Sequence, residues 1–202
     1  MRVSVESLSS WFNYIRDMIE NENSVDLHRY TECFWESQLL SKSLLCEIIP
    51  KDSETICVFG GWNGLVAQLI DDNCLVDVVY SIDIDPNCEG VINRYFSRES
   101  LKSVTCDMAE FEYTRIPDLV INTSTEHVSQ KTYDEWWNKI PVNTNYIVQG
   151  NNLDILEHIR ITHGIEDFIE QNHCTKIIDK HVTCSPGPDG DFERYTVLGI
   201  KT

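Results

Sequence analysis

Six consecutive side chains, Asn122, Thr123, Ser124, Thr125, Glu126 and His127, can donate, accept or carry a proton. They follow Leu119, Val120 and Ile121, an apolar run that reads as a strand. Such a stretch has two uses. Ser, Thr and Asn favour a helix N-terminus because their side chains accept from its free amides. The same residue types also serve an active site at the carboxyl end of a parallel strand, where open α/β sheets bind their ligands. In the second use, Glu126 and His127 form a base: histidine exchanges protons near neutral pH, and a neighbouring carboxylate orients it. In the first, Glu126 is an acid in a helix's opening turn and His127 is simply exposed.

Four other strand ends carry comparable groups. The run "TICVFGGWNG" closes on Gly60, Gly61, Trp62, Asn63 and Gly64, where glycines allow a sharp turn and close approach of backbone amides to a ligand. "VDVVYSIDID" closes on Asp83 and Ile84 about 20 residues later, the place of a ribose-binding carboxylate in nucleotide folds. As structural alternatives, the glycine turn needs no ligand and Asp83 caps the helix starting at Pro86. "SVTCD" leads to Asp107 and Met108, an acid to accept from an exocyclic amine and a thioether to cover a ring. "YIVQGNN" ends in Asn151 and Asn152, amides for a polar substrate or for a turn.

The elements that must hold these groups are legible in the spacing. Leu8, Trp11, Phe12, Ile15, Met18 and Ile19 predict a helix over 8–21, and Phe34 to Ile48 predict a second over 30–49, ended by Pro50. Beyond it, near-continuous apolar runs alternate with helical or loop segments, including "YDEWWNKI" and "LEHIRITHGIEDFIEQ". That texture predicts an α/β fold with a mostly parallel, seven-stranded, Rossmann-like sheet and helices on both faces. No helix is expected between the last two strands; "CSPGPDGDFE" reads as a turn-rich loop, making the last strand antiparallel. In "DEWW", Trp136 and Trp137 are expected to pack on the sheet. One domain is expected over 1–202, a helical extension (1–50) before a core (51–202).

Composition narrows the function. With 33 acidic against 16 basic residues the formal charge is −17, which repels a phosphate backbone, so a nucleic-acid strand is an unfavourable partner. A small molecule or a protein is the expected acceptor. The eight cysteines lack a C-x-x-C spacing and read as reduced thiols. His158, His163, His173 and His181 show no metal-like pairing in the sequence, and no metal is expected. Without a signal-like or membrane-spanning apolar stretch, the chain reads as soluble and cytoplasmic.

The order of glycine turn, acid, acid and polar strand end resembles the class I S-adenosylmethionine-dependent methyltransferases over most of residues 30–202. The strongest matches are "ICVFGGWNG", "VVYSIDIDP", "VTCDM" and "DLVINTSTEHV". The segments "NTSTEH" and "YIVQGNN" are similar to those of phage-encoded members. The resemblance implies S-adenosylmethionine as cofactor, with Gly60, Gly61 and Gly64 around its methionine portion, flanked by Trp62 and Asn63. It places Asp83 and Ile84 at the ribose, Asp107 and Met108 at the adenine, and Asn122 and Thr123 along the route to the methyl group. Glu126 and His127 would act on a small polar acceptor, held in part by Ser124, Asn151 and Asn152; Arg194 and Tyr195 are weaker candidates on the same side. Two positions depart from the pattern: Val58 replaces an acid and Trp62 a central glycine. The N-P-P-[YF] signature for base amino groups is absent. Competing readings are a Rossmann-like interaction protein that has lost its ligand and a nicotinamide-dependent oxidoreductase, the latter disfavoured by the G-G-W-N-G spacing.

Overall fold

The computed structural model describes residues 1–187 and 190–202. Three helices open the chain: α1 (Val5–Glu20), α2 (Ser24–Glu32) and α3 (Glu36–Ile48). In α1 the Ser4 side chain accepts from the Ser7 amide, and Trp11, Tyr14 and Met18 recur at helical spacing on the buried face. The single helix expected over 30–49 is two. Asn23 caps α2, and Trp35 takes an extended conformation, ψ 147°, before α3. The break turns Phe34 inward against Trp11 and Tyr30, ring centroids 5.3 and 5.4 Å away, so aromatic packing outweighs continued helix. Pro50 ends the extension as expected, with Ile49 extended before it.

The sheet has seven strands: β1 (Thr55–Phe59), β2 (Val78–Asp83), β3 (Leu101–Thr105), β4 (Leu119–Asn122), β5 (Asn145–Asn151), β6 (Ile177–Gly187) and β7 (Gly190–Ile200). Their order is β3-β2-β1-β4-β5-β7-β6. The first five pair in parallel, while β7 runs antiparallel to both β5 and β6. The segment expected as a loop is mostly strand, since pairing continues through Cys184 with Glu193 and Pro186 with Asp191. Pro186 is tolerated because β6 is the sheet edge. The loop's centre, residues 188 and 189, lies outside the described residues.

Strand side chains alternate between two cores. Ile56, Val58, Leu119 and Ile121 pack beneath α1, α3, α4 (Leu65–Asn73) and α5 (Pro86–Tyr95). Cys57, Phe59, Val120 and Val148 face α6 (Gln130–Lys139) and α7 (Ile165–Gln171). Trp136 and Trp137 are buried there, as their spacing predicts. Of the segment 156–171, read as helix or loop, only α7 is helical, because Gly164 (φ +149°) breaks the run. The chain before it is instead a loop fastened to Glu126, whose carbonyl accepts from the Ile159 and Arg160 amides. No helix among the described residues is long and apolar enough to cross a membrane.

Candidate functional site

A cavity of about 650 Å³ opens at the carboxyl ends of β1, β2 and β4, the size of a small-molecule site. The glycine turn forms one wall. Gly61 donates to the Ile82 carbonyl (3.0 Å) and lies so close to β2 that a Cβ would stand 2.2 Å from Ser81 Oγ. Trp62 adopts a left-handed conformation, φ +44°, which costs about 1–2 kcal/mol in a non-glycine residue. What holds it there is the hydrogen bond from its amide to Asp83 Oδ2 (2.8 Å), and its ring packs towards Tyr30. A bulky residue is accommodated in a glycine's place because it leans on the helical extension, while still lining the cavity.

Asp83 Oδ1 accepts from the Asp85 amide (3.0 Å), so each oxygen of Asp83 holds one backbone amide. A carboxylate oxygen has two acceptor sites, leaving one on each for a diol. Helix capping before Pro86 is done by Asp85, whose side chain accepts from the Asn87 amide. Asp107 fixes its own turn through the Ala109 amide (2.9 Å) and lines the cavity with Ile84 and Met108. Two carboxylate acceptors and a backbone cradle along one rim match the hydroxyls of a ribose and the amine of an adenine, so these residues fit a nucleoside cofactor.

Several residues predicted for the site do other work. Asn63 is buried and faces the Tyr14 hydroxyl. Gly64 begins α4 at φ +75°, and a Cβ there would meet Ile92 at 2.9 Å, so this glycine serves packing against α5. Asn122 is fully buried; its side chain accepts from the Ser124 amide and reaches Met108 Sδ. It shapes the turn and lies off the cavity. Asn152 pins β7 by accepting from the Glu193 amide (2.7 Å). Asn151 turns away from solvent to bond Glu126 Oε1. Thr123 and Ser124 do line the cavity.

Glu126 and His127 lie on a short 3-10 turn, Thr125–His127, ahead of α6. Capping of α6 falls to Ser129, which accepts from the Thr132 amide (3.1 Å), so the polar run before it is not consumed as a helix cap. Glu126 is 5 % exposed and lines the cavity; Oε1 meets Asn151, and Oε2 is buried without a partner. Burial raises its pKa above the ordinary carboxylate range, opposed by His127, Arg194 and Arg160. His127 is exposed. Its Nδ1 lies 3.2 Å from the Glu157 carbonyl, which can only accept, so Nδ1 carries the proton and Nε2 is left basic.

His158, with no apparent partner in the sequence, packs edge-to-face on His127 at 4.8 Å. Its Nδ1 donates to the Leu153 carbonyl (2.6 Å) and its Nε2 stands 4.0 Å from Glu126 Oε1. Glu126, His127 and His158 thus offer ligand atoms all within 4.8 Å of one another, a spacing a metal ion would have to tighten. A loop far along the chain makes this juxtaposition, so spacing could not reveal it. Two basic residues complete the cavity: Lys42 from α3 and Arg194 from β7. Burial lowers the Lys42 pKa to about 8.

No family model matches the sequence, and no curated protein matches it. Solved structures do. The N-methyltransferase NodS from Bradyrhizobium japonicum WM9, in complex with S-adenosyl-L-homocysteine, aligns with a TM-score of 0.61 at 10 % identity, covering 80 % of this chain and 87 % of that one. The fold is that of the class I methyltransferases. Geranyl diphosphate C-methyltransferase from Streptomyces coelicolor A3(2) aligns with a TM-score of 0.62 at 11 % identity, covering 82 % and 76 %. Coclaurine N-methyltransferase aligns at 0.63 and 9 %, covering 82 % and 73 %. All three were crystallised with S-adenosyl-L-homocysteine.

Proposed function

We propose that the chain is an S-adenosylmethionine-dependent methyltransferase acting on a small polar acceptor. The observation that carries this reading is the rim of one cavity, where Gly60 and Gly61, Asp83, and Asp107 with Met108 stand at successive strand ends. Asp83 would hold the ribose diol, and Asp107 with Met108 the adenine. When bound, the cofactor supplies an electrophilic methyl group on a sulfonium.

The chain's own residues then have two tasks, alignment and proton removal. The acceptor, entering beside Ser124 and the 3-10 turn, is oriented in line with the methyl group. Its proton passes to His127 Nε2 or to the Glu126 carboxylate, both residues of that wall. Burial prepares Glu126 for this, since a raised pKa brings a carboxylate nearer the operating pH. The helical extension lines the cavity through Cys33, Gln38 and Lys42, and so limits water.

The test uses methyl-labelled S-adenosylmethionine with pools of small polar compounds and free nucleotides. Wild-type protein is expected to label a product, and His127→Ala to lower turnover about 10²-fold or more while affinity for S-adenosylhomocysteine is kept. Full turnover in both His127→Ala and Glu126→Gln would contradict the assignment of the base.

A further inference from the structure

The two sides of the cavity differ in charge. Asp83 and Asp107 stand at the ends of β2 and following β3; Lys42 and Arg194 stand on the other side of β4. Lys42 is 7 % exposed, and its Nζ meets only the neutral Gln38 Oε1 (2.8 Å). Arg194 lies over the Phe192 ring, and its Nε is buried without a partner. Among the described residues no ion pair engages either cation, in a chain carrying 33 acids.

Burying a charge costs several kcal/mol unless it is paired, and two like charges in one cavity also repel each other. The repulsion is present here, for Arg194 helps to lower the Lys42 pKa. Glu126 offsets part of the Arg194 charge, yet Glu126 is itself pushed towards the neutral form. Such a pair is retained when an anion arrives to neutralise it.

Position separates that anion from the nucleoside end of the cofactor. Gln149 of β5 accepts from Ser41 Oγ (3.2 Å) and donates to the Ser41 carbonyl, which fixes Lys42 over β5. Arg194 pairs with Asn151 across β5 and β7. In the order β1-β4-β5-β7, β7 is three strands from β1, about 14 Å, and Glu126 follows β4, the first of the two strands between. We propose that the methyl acceptor carries an oxyanion, a carboxylate or phosphate, held jointly by Lys42 and Arg194, with its reacting atom presented to Glu126 and His127. This rests on the function proposed above and adds the substrate class.

Inorganic phosphate is the probe, titrated calorimetrically into protein saturated with S-adenosylhomocysteine. Phosphate is expected to bind, and Arg194→Gln and Lys42→Met each to weaken it about tenfold or more, as for loss of a charge-assisted hydrogen bond. Arg194→Lys, keeping the charge without the fork, is expected to lose less. Affinity for S-adenosylhomocysteine is expected to stay within about twofold. Circular dichroism confirms that each variant is folded, and because Lys42→Met removes a buried charge, its midpoint is expected to match or exceed wild type.

No phosphate binding to the wild-type protein would overturn the proposal. So would variants that weaken S-adenosylhomocysteine about tenfold but leave 5′-methylthioadenosine, which lacks the carboxylate, unchanged, since the pair would then hold the cofactor's own carboxylate. If S-adenosylhomocysteine itself fails to bind, the proposed function falls separately. Phosphate titrated into cofactor-free protein then decides: binding lost in Arg194→Gln supports the anion site, and no heat overturns it.

Discussion

Removing the Glu126 charge while keeping its shape separates a proton acceptor from a structural prop. Glu126→Gln can still accept from Asn151 through Oε1, so the turn is expected to persist. Since burial raises the folded pKa of Glu126, the folded state binds a proton that the unfolded state has released above its ordinary 4.5. The wild-type carboxylate therefore weakens the fold as pH rises through its folded pKa. Glu126→Gln is expected to be more stable than wild type at pH 7, with the difference vanishing as pH falls below about 4. Denaturant unfolding at both pH values checks this, and a variant less stable at pH 7 would contradict it. Asp83 joins two duties. Asp83→Ala loses the hold on the Trp62 amide as well as the acceptors for a diol. It is expected to weaken S-adenosylhomocysteine by about 10- to 100-fold in calorimetry, from loss of about 1.5–3 kcal/mol of charge-assisted hydrogen bonding.

Among elements, the glycine turn is the most demanding. Gly61→Ala would drive a Cβ into Ser81 Oγ at 2.2 Å and towards Ser81 Cα at 3.3 Å. It is expected to destabilise by about 1–3 kcal/mol, the usual scale of overpacking. Ser81→Ala removes the obstructing oxygen, itself buried without a partner, and is expected to recover part of that loss. A double-mutant cycle in urea measures the coupling; strict additivity would mean that the turn does not lie against β2 as described.

What was legible in the sequence was of this kind too. Strand ends and the glycine turn announce themselves locally, through apolar runs closed by Gly or Asp, and so the sheet and the positions of Gly60, Asp83 and Asp107 could be read. The break between α2 and α3 could not, because it depends on Phe34 finding Trp11 and Tyr30 across the fold. The same limit hid His158 and Lys42. Lys42 reaches the cavity through the Ser41–Gln149 link, and His158 reaches His127 through its loop over Glu126, both contacts far along the chain. Asn122 and Asn151 have the composition of ligand-binding residues but satisfy buried neighbours, a distinction that residue type alone does not make.

At the scale of the molecule, buried thiols lower alkaline stability, and the buried tyrosines Tyr30, Tyr113 and Tyr146, also raised by burial, act in the same sense. Burial raises Cys33 to about 11 and Cys46, Cys57, Cys88 and Cys174 to about 12, each from 9.0. The folded state keeps these protons while the unfolded state releases them, so their contribution is complete below pH 9 and is lost as pH rises from 9 towards 12. Lys42 acts in the opposite sense between about 8 and 10.5, and five thiols outweigh one amine. Thermal midpoints are therefore expected to fall steadily above pH 9, and a flat profile from 9 to 11 would contradict the burial of these residues. The same scale carries the central claim, that strand ends from one sheet form a single nucleoside-cofactor cavity. Calorimetric titration of S-adenosyl-L-homocysteine into the wild-type chain tests it most directly. Saturable binding of one molecule per chain, weakened about tenfold or more in Asp107→Ala, is the predicted result; no heat at millimolar ligand would contradict it.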